Sequence, residues 1–324
     1  MSDTNIGFVI IGRNEGERLV RCLDSLPQPA DRVVYVDSGS TDGSIAMAEA
    51  RGVHVVRLDT TRPFTAGRAR NEGFAALHAA MPDLAFVQFV DGDCELDAGW
   101  IEKASAFLAG HPDVAIVCGR RRERFPERSV YNRICDREWD QPIGEADQCG
   151  GDTLVRVTAF TQVGGFTDAL IAGEEPELCN RLRAASWKIW RIAAEMTLHD
   201  AAMTRFRQWW LRGVRAGFGY AQGRAATAGR AEQMYGQQLR RALLGACVIP
   251  LGIVAAAITI TPFALGLFAA YPAQAVRIAL RTGGRDRWSY GALMVLAMFS
   301  EFQGRVRFDL NVRRGGTKEA IVYK

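Results

Sequence analysis

Short apolar runs alternate with mixed polar stretches through the first part of the chain. Ile6 to Ile11, Arg32 to Val36, Val53 to Leu58, Leu84 to Val90 and Val114 to Cys118 read as strands. Between them the spacing predicts helices. Glu15 to Leu26 stops at Pro27, Thr41-Asp42 caps a helix to Arg51, Thr65 opens one to about Ala80, and Ala98 to Ala109 forms another. Strictly alternating elements imply an α/β fold with a mostly parallel, Rossmann-like sheet. No internal repeat and no low-complexity linker interrupts the pattern.

From Gly119 the texture changes. Gly119 to Phe125 is a basic, strand-like run, which is either a solvated face or a collar of charge facing phosphates. Ser129 to Trp139 reads as a helix and Thr153 to Arg156 as a strand. Further on, Ala242 to Val276 is 35 residues without a charge, bracketed by Arg240-Arg241 and Arg277. A turn at Thr261-Pro262 leaves about 17 residues per arm, the lower limit for a membrane-crossing helix. Basic residues at both ends place both on the cytoplasmic side, so a spanning or re-entrant hairpin is expected.

Arg205 to Arg215 mixes Trp, Phe and Arg as interfacial helices do, and Trp288 to Phe299 is apolar but too short to span. Arg305, Arg307, Arg313 and Arg314 suit anionic headgroups. The expected division is a catalytic domain at 1–204 and a membrane-associated helical region at 205–324.

Composition narrows the function. The 324 residues are 48% hydrophobic, enough for one large core and an appendage. A formal charge of +4, without an aromatic-basic motif, argues against nucleic acid. Seven cysteines without paired spacing fit a reducing compartment, with Cys94 and Cys149 read as small buried thiols. The polar start, Met1 to Asn5, runs into a strand, so no signal peptide is expected and the catalytic face is cytoplasmic.

The chemistry gathers at strand ends. Leu84 to Val90 leads into Asp91-Gly92-Asp93, two carboxylates on one side of an extended backbone. The glycine between them admits an anion to the main chain. Such hard ligands suit Mg²⁺ or Mn²⁺ bridging to a substrate's phosphates. The first strand ends in Gly12-Arg13-Asn14-Glu15 and the second in Asp37, which is placed to accept hydrogen bonds from a nucleoside. All three loops converge on the carboxyl edge, where open α/β sheets bind ligands. Downstream, Glu174 and Glu175 lie at a helix start, with Pro176 at its expected first position. They serve either as dipole-favoured caps or as a general base.

These ordered motifs resemble the family 2 glycosyltransferases of the GT-A fold, over roughly residues 5 to 205. The likeness is to membrane-attached bacterial enzymes that build exopolysaccharide or glycolipid. It implies an inverting transfer of one sugar from a UDP- or GDP-linked donor to a lipid-linked acceptor at the cytoplasmic face of the inner membrane. It further implies a donor pocket lined by Gly12, Glu15, Asp37, Arg70 (within Ala69-Arg70-Asn71) and Asp91. Asp91 and Asp93 would be metal ligands, with His199 as a further ligand or diphosphate contact.

The family usually shows Glu-Asp where this chain has Glu174-Glu175. The base is therefore placed on Glu175, deprotonated at neutral pH, with Glu174 as its partner. Gln208 to Arg212 departs from the processive Gln-x-x-Arg-Trp motif, which speaks for single transfer. A nucleotidyltransferase is the competing enzyme, but it needs a glycine-rich, lysine-bearing loop that Gly12 to Glu15 does not supply. A degenerate domain serving as a membrane scaffold is the non-enzymatic alternative. The presence of every acidic position speaks against it, and a nucleotide-release assay separates the two.

Overall fold

Ile6–Gly12 (β1) is an apolar run whose first five residues are buried between two parallel neighbours. In the computed structural model, which describes residues 5–27, 29–62 and 64–315, these neighbours are Val33–Asp37 (β2) and Phe86–Asp91 (β4). The register sets Gly12 beside Asp37 and Ile11 beside Asp91, so the three strand ends finish level. His54–Arg57 (β3) continues the parallel half outside β2.

Beyond β4 the sheet turns mixed. Thr153–Arg156 (β8) pairs antiparallel with both β4 and Val114–Glu123 (β6), and β6 runs parallel to Lys188–His199 (β9). Cys94–Leu96 (β5) returns antiparallel on β9, which sets Cys94 opposite His199, and Gly144–Glu145 (β7) also pairs with β9. The described residues thus form a nine-stranded sheet.

The apolar strand at Val114 and the basic run after it are one strand, β6, with register shifts where the arginines begin. Each of those arginines is paired with an acid, and the Arg122 pair is solvent-exposed. Arg120 meets Asp136, Arg121 meets Asp152, Arg122 meets Glu195 and Arg124 meets Glu95.

Helices Glu17–Asp24 (α1), Ser44–Glu49 (α2), Ala66–Ala80 (α3) and Trp100–Gly110 (α4) connect the strands. The first begins two residues later than its sequence suggests, because Asn14 and Gly16 hold positive φ in the preceding loop. The Asn14 side chain accepts the Thr41 N–H at 2.8 Å, and Ser40 Oγ accepts the Asn14 N–H at 2.9 Å. The loops after β1 and β2 are thereby joined. Val130–Glu138 (α5), Val157–Gln162 (α6) and Glu174–Ala184 (α7) complete this part of the chain.

Two compact units emerge. One comprises the residues through Phe125 with Cys135–Ala201; the other comprises Pro126–Ile134 with the residues from Ala202 onward. The second unit is helical: Phe206–Ala226 (α8), Gly236–Leu243 (α9), Ile249–Thr259 (α10), Ala270–Thr282 (α11) and Arg287–Arg313 (α12). A π-helical turn at Leu244–Val248 joins α9 to α10, and Tyr271 donates its hydroxyl to the Gly245 carbonyl inside that turn.

The helical stretches Gly236–Thr259 and Pro262–Thr282 are 24 and 21 residues, each long and apolar enough to cross a membrane. They exceed the expected 17 per arm because each helix runs past the bracketing arginines. Trp288 to Phe299 is not a separate segment; it is the first half of α12, which packs on α8 and α11. Gly217 and Gly304 sit where these helix backbones approach too closely for any Cβ, the small-residue contact common between membrane helices. The aromatic stripe at the start of α8 is partly internal, since Trp209 is buried and stacks on Phe206 and Tyr131.

Candidate active site

Asp91 closes β4, and one side chain organises everything around it. Arg70, 2% exposed on α3, donates from Nη2 to Asp91 Oδ1 at 2.8 Å. Its Nη1 donates to Glu174 Oε1 at 3.0 Å and lies 3.3 Å from Glu175 Oε1. Arg70 reaches this point because Thr65 caps α3, its hydroxyl accepting the Arg68 N–H at 3.1 Å. With three carboxylates on one guanidinium, Arg70 ties the acidic cluster together.

Helix α7 begins at Glu174, after Gly173 at φ 83°, a left-handed conformation that glycine adopts without strain. Pro176 is therefore the third helical residue, not the first. The N–H it lacks is one of the four that a helix start leaves unpaired anyway. Gly151 completes the cluster: a Cβ there would stand 3.0 Å from Glu175 Oε1 and 3.1 Å from Asp91 Oδ2. Only a residue without a side chain leaves that space open.

The electrostatics follow from burial and crowding. Burial pushes the Glu175 carboxyl up to about 7, and the charges of Glu174 and Asp91 add to it against the pull of Arg70. The expectation that the helix dipole leaves Glu175 fully ionised is thus corrected; desolvation and like charge outweigh it. Burial also opposes ionisation of Asp91, but Arg70, Arg121 and His199 prevail and hold it below the usual carboxylate range.

Asp93, 7% exposed, faces His199 across the β5–β9 contact, its Oδ2 3.3 Å from Nε2. Burial and the Arg121 charge lower His199 to about 4, so its imidazole is neutral at physiological pH, the form that ligates metals. Its Nδ1 is buried and makes no hydrogen bond. Cys94 Sγ lies within the same group, but burial holds its thiol well above the ordinary range, leaving oxygen and imidazole as the available ligands. Such a donor set fits Mn²⁺ or Mg²⁺. Asp91 is drawn to Arg70, so Asp93 and His199 are the better-placed pair.

At the neighbouring strand end, Asp37 is almost wholly buried. Oδ1 accepts the N–H groups of Gly39 and Ser40 at 2.9 and 2.8 Å, and Oδ2 accepts the Tyr35 hydroxyl at 3.0 Å. Asp37 thus shapes the loop before it offers anything to a ligand. Glu15 pairs with Arg18 at 2.7 Å and packs over Gly12 and Gly92. Gly92 is tight for that reason: a Cβ would meet Ile11 O at 3.1 Å and Glu15 Cγ at 3.3 Å. The close approach of these chain segments favours glycine here.

Residues 8–170 match the sequence profile of glycosyl transferase family 2, half of the chain. The chain belongs to that family. It is 24% identical over 238 residues to the succinoglycan biosynthesis protein ExoA of Rhizobium meliloti (strain 1021), covering 69% of this chain and 70% of that protein. The pre-mycofactocin glycosyltransferase of Mycobacterium tuberculosis (strain ATCC 25618 / H37Rv) is 27% identical over 224 residues, which is 64% of this chain and 45% of that protein. Among solved structures, a mannosyltransferase from Pyrobaculum calidifontis in complex with GDP-Man and Mn²⁺ superposes with a TM-score of 0.64. It covers 93% of this chain and 87% of its own at 17% identity, which supports a GT-A-like core.

Sequence reasoning passed over two members of the site. Asp152, wholly buried on the loop before β8, accepts the Asp91 N–H at 3.0 Å and the Thr197 hydroxyl at 3.0 Å, and meets Arg121 at 2.7 Å. Its sequence signal is Gly150-Gly151-Asp152, a carboxylate beside two glycines ahead of a buried strand. Arg121 was hidden within the basic run, and nothing in that run distinguishes the arginine that meets Asp152 from those that meet other acids.

Proposed function

We propose that this transferase moves one sugar, with inversion, from a nucleotide-sugar donor to a lipid-linked acceptor at the cytoplasmic face of the plasma membrane. The observation that carries the reading is Arg70, which holds the strand-end acid Asp91 and both helix-start glutamates in one cluster beside the Asp93–His199 pair. A divalent cation at Asp93 and His199 would neutralise charge building on the departing diphosphate.

The chain's own residues supply the remainder. The acceptor hydroxyl oxygen attacks the anomeric carbon as the bond from that carbon to the diphosphate oxygen breaks. The electron pair leaves with the diphosphate. Glu175 takes the acceptor proton, and its raised pKa matches a base working near neutrality. Arg70 steadies the two neighbouring carboxylates, so that Glu175 can cycle its proton without scattering the cluster. The joined loops after β1 and β2 form the donor side, with Gly12, Glu15 and Asp37 shaping it.

The membrane part of the reading rests on the two long apolar helices and their surface. Ile258 and Ile260 are 80% exposed and Phe263 is 91% exposed, a poor arrangement in water and a natural one in lipid.

The test uses full-length protein in detergent and a panel of UDP- and GDP-linked sugars, each with Mn²⁺, Mg²⁺ or excess chelator. Thermal stabilisation by at least one donor should require metal and vanish in Asp93→Asn while that variant keeps its own unfolding temperature. Undiminished turnover in chelator would remove the metal from the mechanism.

A further inference from the structure

Trp139 has no part in the chemistry described so far, yet it stands at the centre of that region. Its ring centroid is 4.8 Å from that of His199, with the planes 63° apart. The Arg121 guanidinium carbon sits 5.6 Å from the same indole centroid, and Arg121 is the arginine that meets Asp152. Trp139 is thus held from two sides by residues of the acidic site. The indole is nonetheless only partly buried. Its N–H makes no hydrogen bond among the described residues, a feature it shares with Trp190, Trp209 and Trp288.

An indole with a fixed plane, a partly open surface and an unused donor has the features that bind a sugar ring. The C–H bonds of a pyranose carry slight positive charge and settle on the electron-rich face, while the free N–H meets a hydroxyl. The buried Nδ1 of His199, also without a hydrogen bond, marks the same place as one that awaits a polar group.

We propose that Trp139 is a specificity-determining residue, its indole a platform for a pyranose ring at the transfer position. The proposal rests on the glycosyl-transfer reading above. The ring comes either from the donor or from the acceptor, and the experiment has one arm for each.

Trp139→Leu keeps apolar bulk without a flat face; Trp139→Phe keeps the face without the N–H. In the donor arm, full-length proteins with Mn²⁺ are titrated with UDP, GDP, UDP-glucose and GDP-mannose. For a donor platform, Trp139→Leu should weaken the sugar nucleotide about 3- to 10-fold relative to its nucleoside diphosphate, and Trp139→Phe should stay within about threefold of wild type. In the acceptor arm, turnover is followed against octyl glucoside and octyl mannoside. For an acceptor platform the same factors should fall on the KM for the glycoside, with donor affinity unchanged.

Equal weakening of nucleoside diphosphate and sugar nucleotide would overturn the platform, because it would place Trp139 in support of the metal pair. So would Trp139→Leu behaving as wild type in both arms, or Trp139→Phe falling as far as Trp139→Leu. Wild-type protein that binds none of the four nucleotides would overturn the transfer reading itself, and the platform with it.

Discussion

Asp152 Oδ1 accepts the backbone N–H of Asp91 at 3.0 Å, so a wholly buried carboxylate fixes the main chain where the Asp-Gly-Asp turn opens. Its other oxygen is shared between Arg121 and Thr197. Replacing Asp152 with Asn leaves Arg121 without its charge partner and should cost about 3 kcal/mol of stability, the scale for breaking a buried pair. Thr197→Val removes one hydrogen bond and should cost about 1 kcal/mol. Urea unfolding of the detergent-solubilised protein reads both. Equal midpoints for wild type and Asp152→Asn would mean the network carries no load.

The two glutamates separate by kinetics. Glu175→Gln keeps size but cannot accept a proton, and turnover should fall about 10²-fold or more with little change in donor affinity. Glu174→Gln keeps a base in place and removes a carboxylate from Arg70, so its loss should be smaller. The reverse order would move the base by one residue. A product retaining the donor's anomeric configuration, read by proton NMR, would rule out single displacement.

The pH profile follows from the same pair. The deprotonated form of Glu175 is the active one, and burial with Glu174 and Asp91 nearby lifts its proton loss to about 7. Turnover should therefore rise with pH, about tenfold per unit well below 7, and level off above it. Glu174→Gln deletes a like charge, so the rising limb should shift to lower pH. A limb that stays in place would mean Glu174 does not feel Glu175 in solution.

The apolar helices make a prediction about partitioning. Full-length protein should stay in the membrane pellet after alkaline carbonate extraction. Charges at Ile249, Leu251 and Val254 together, exposed along the first apolar stretch, should release it or block insertion, since each carries a cost of about 2.5–3.5 kcal/mol at a helix centre. Recovery of unmodified protein in the wash would end the membrane reading.

The parallel half of the sheet was legible because its strands are unbroken apolar runs ending in polar loops, as at Ile6 to Glu15 and Phe86 to Asp93. Periodicity carries that signal. Helix starts were less legible where loop geometry intervened: the left-handed Asn14 and Gly16 delayed α1, and Gly173 brought α7 forward past Pro176. The acidic positions were readable from residue type and order. Their partnership was not, because Arg70 and Glu174 are 104 positions apart and only the fold brings them to 3.0 Å. The ionisation of Glu175 was misjudged for the same reason. A helix dipole can be read locally, whereas burial and a neighbour across the sheet cannot.

Within the helical unit, Arg241 holds the otherwise buried Glu301 through Nη2, at 2.7 and 2.6 Å from its two oxygens. Sliding α9 by one helical turn along α12 would break this ion pair, at about 3–5 kcal/mol. The contact therefore favours one register of α9 on α12. On the proposed membrane reading, a thinner or thicker bilayer would be met by the helices tilting together, or by the lipid stretching or compressing, rather than by α9 slipping along α12.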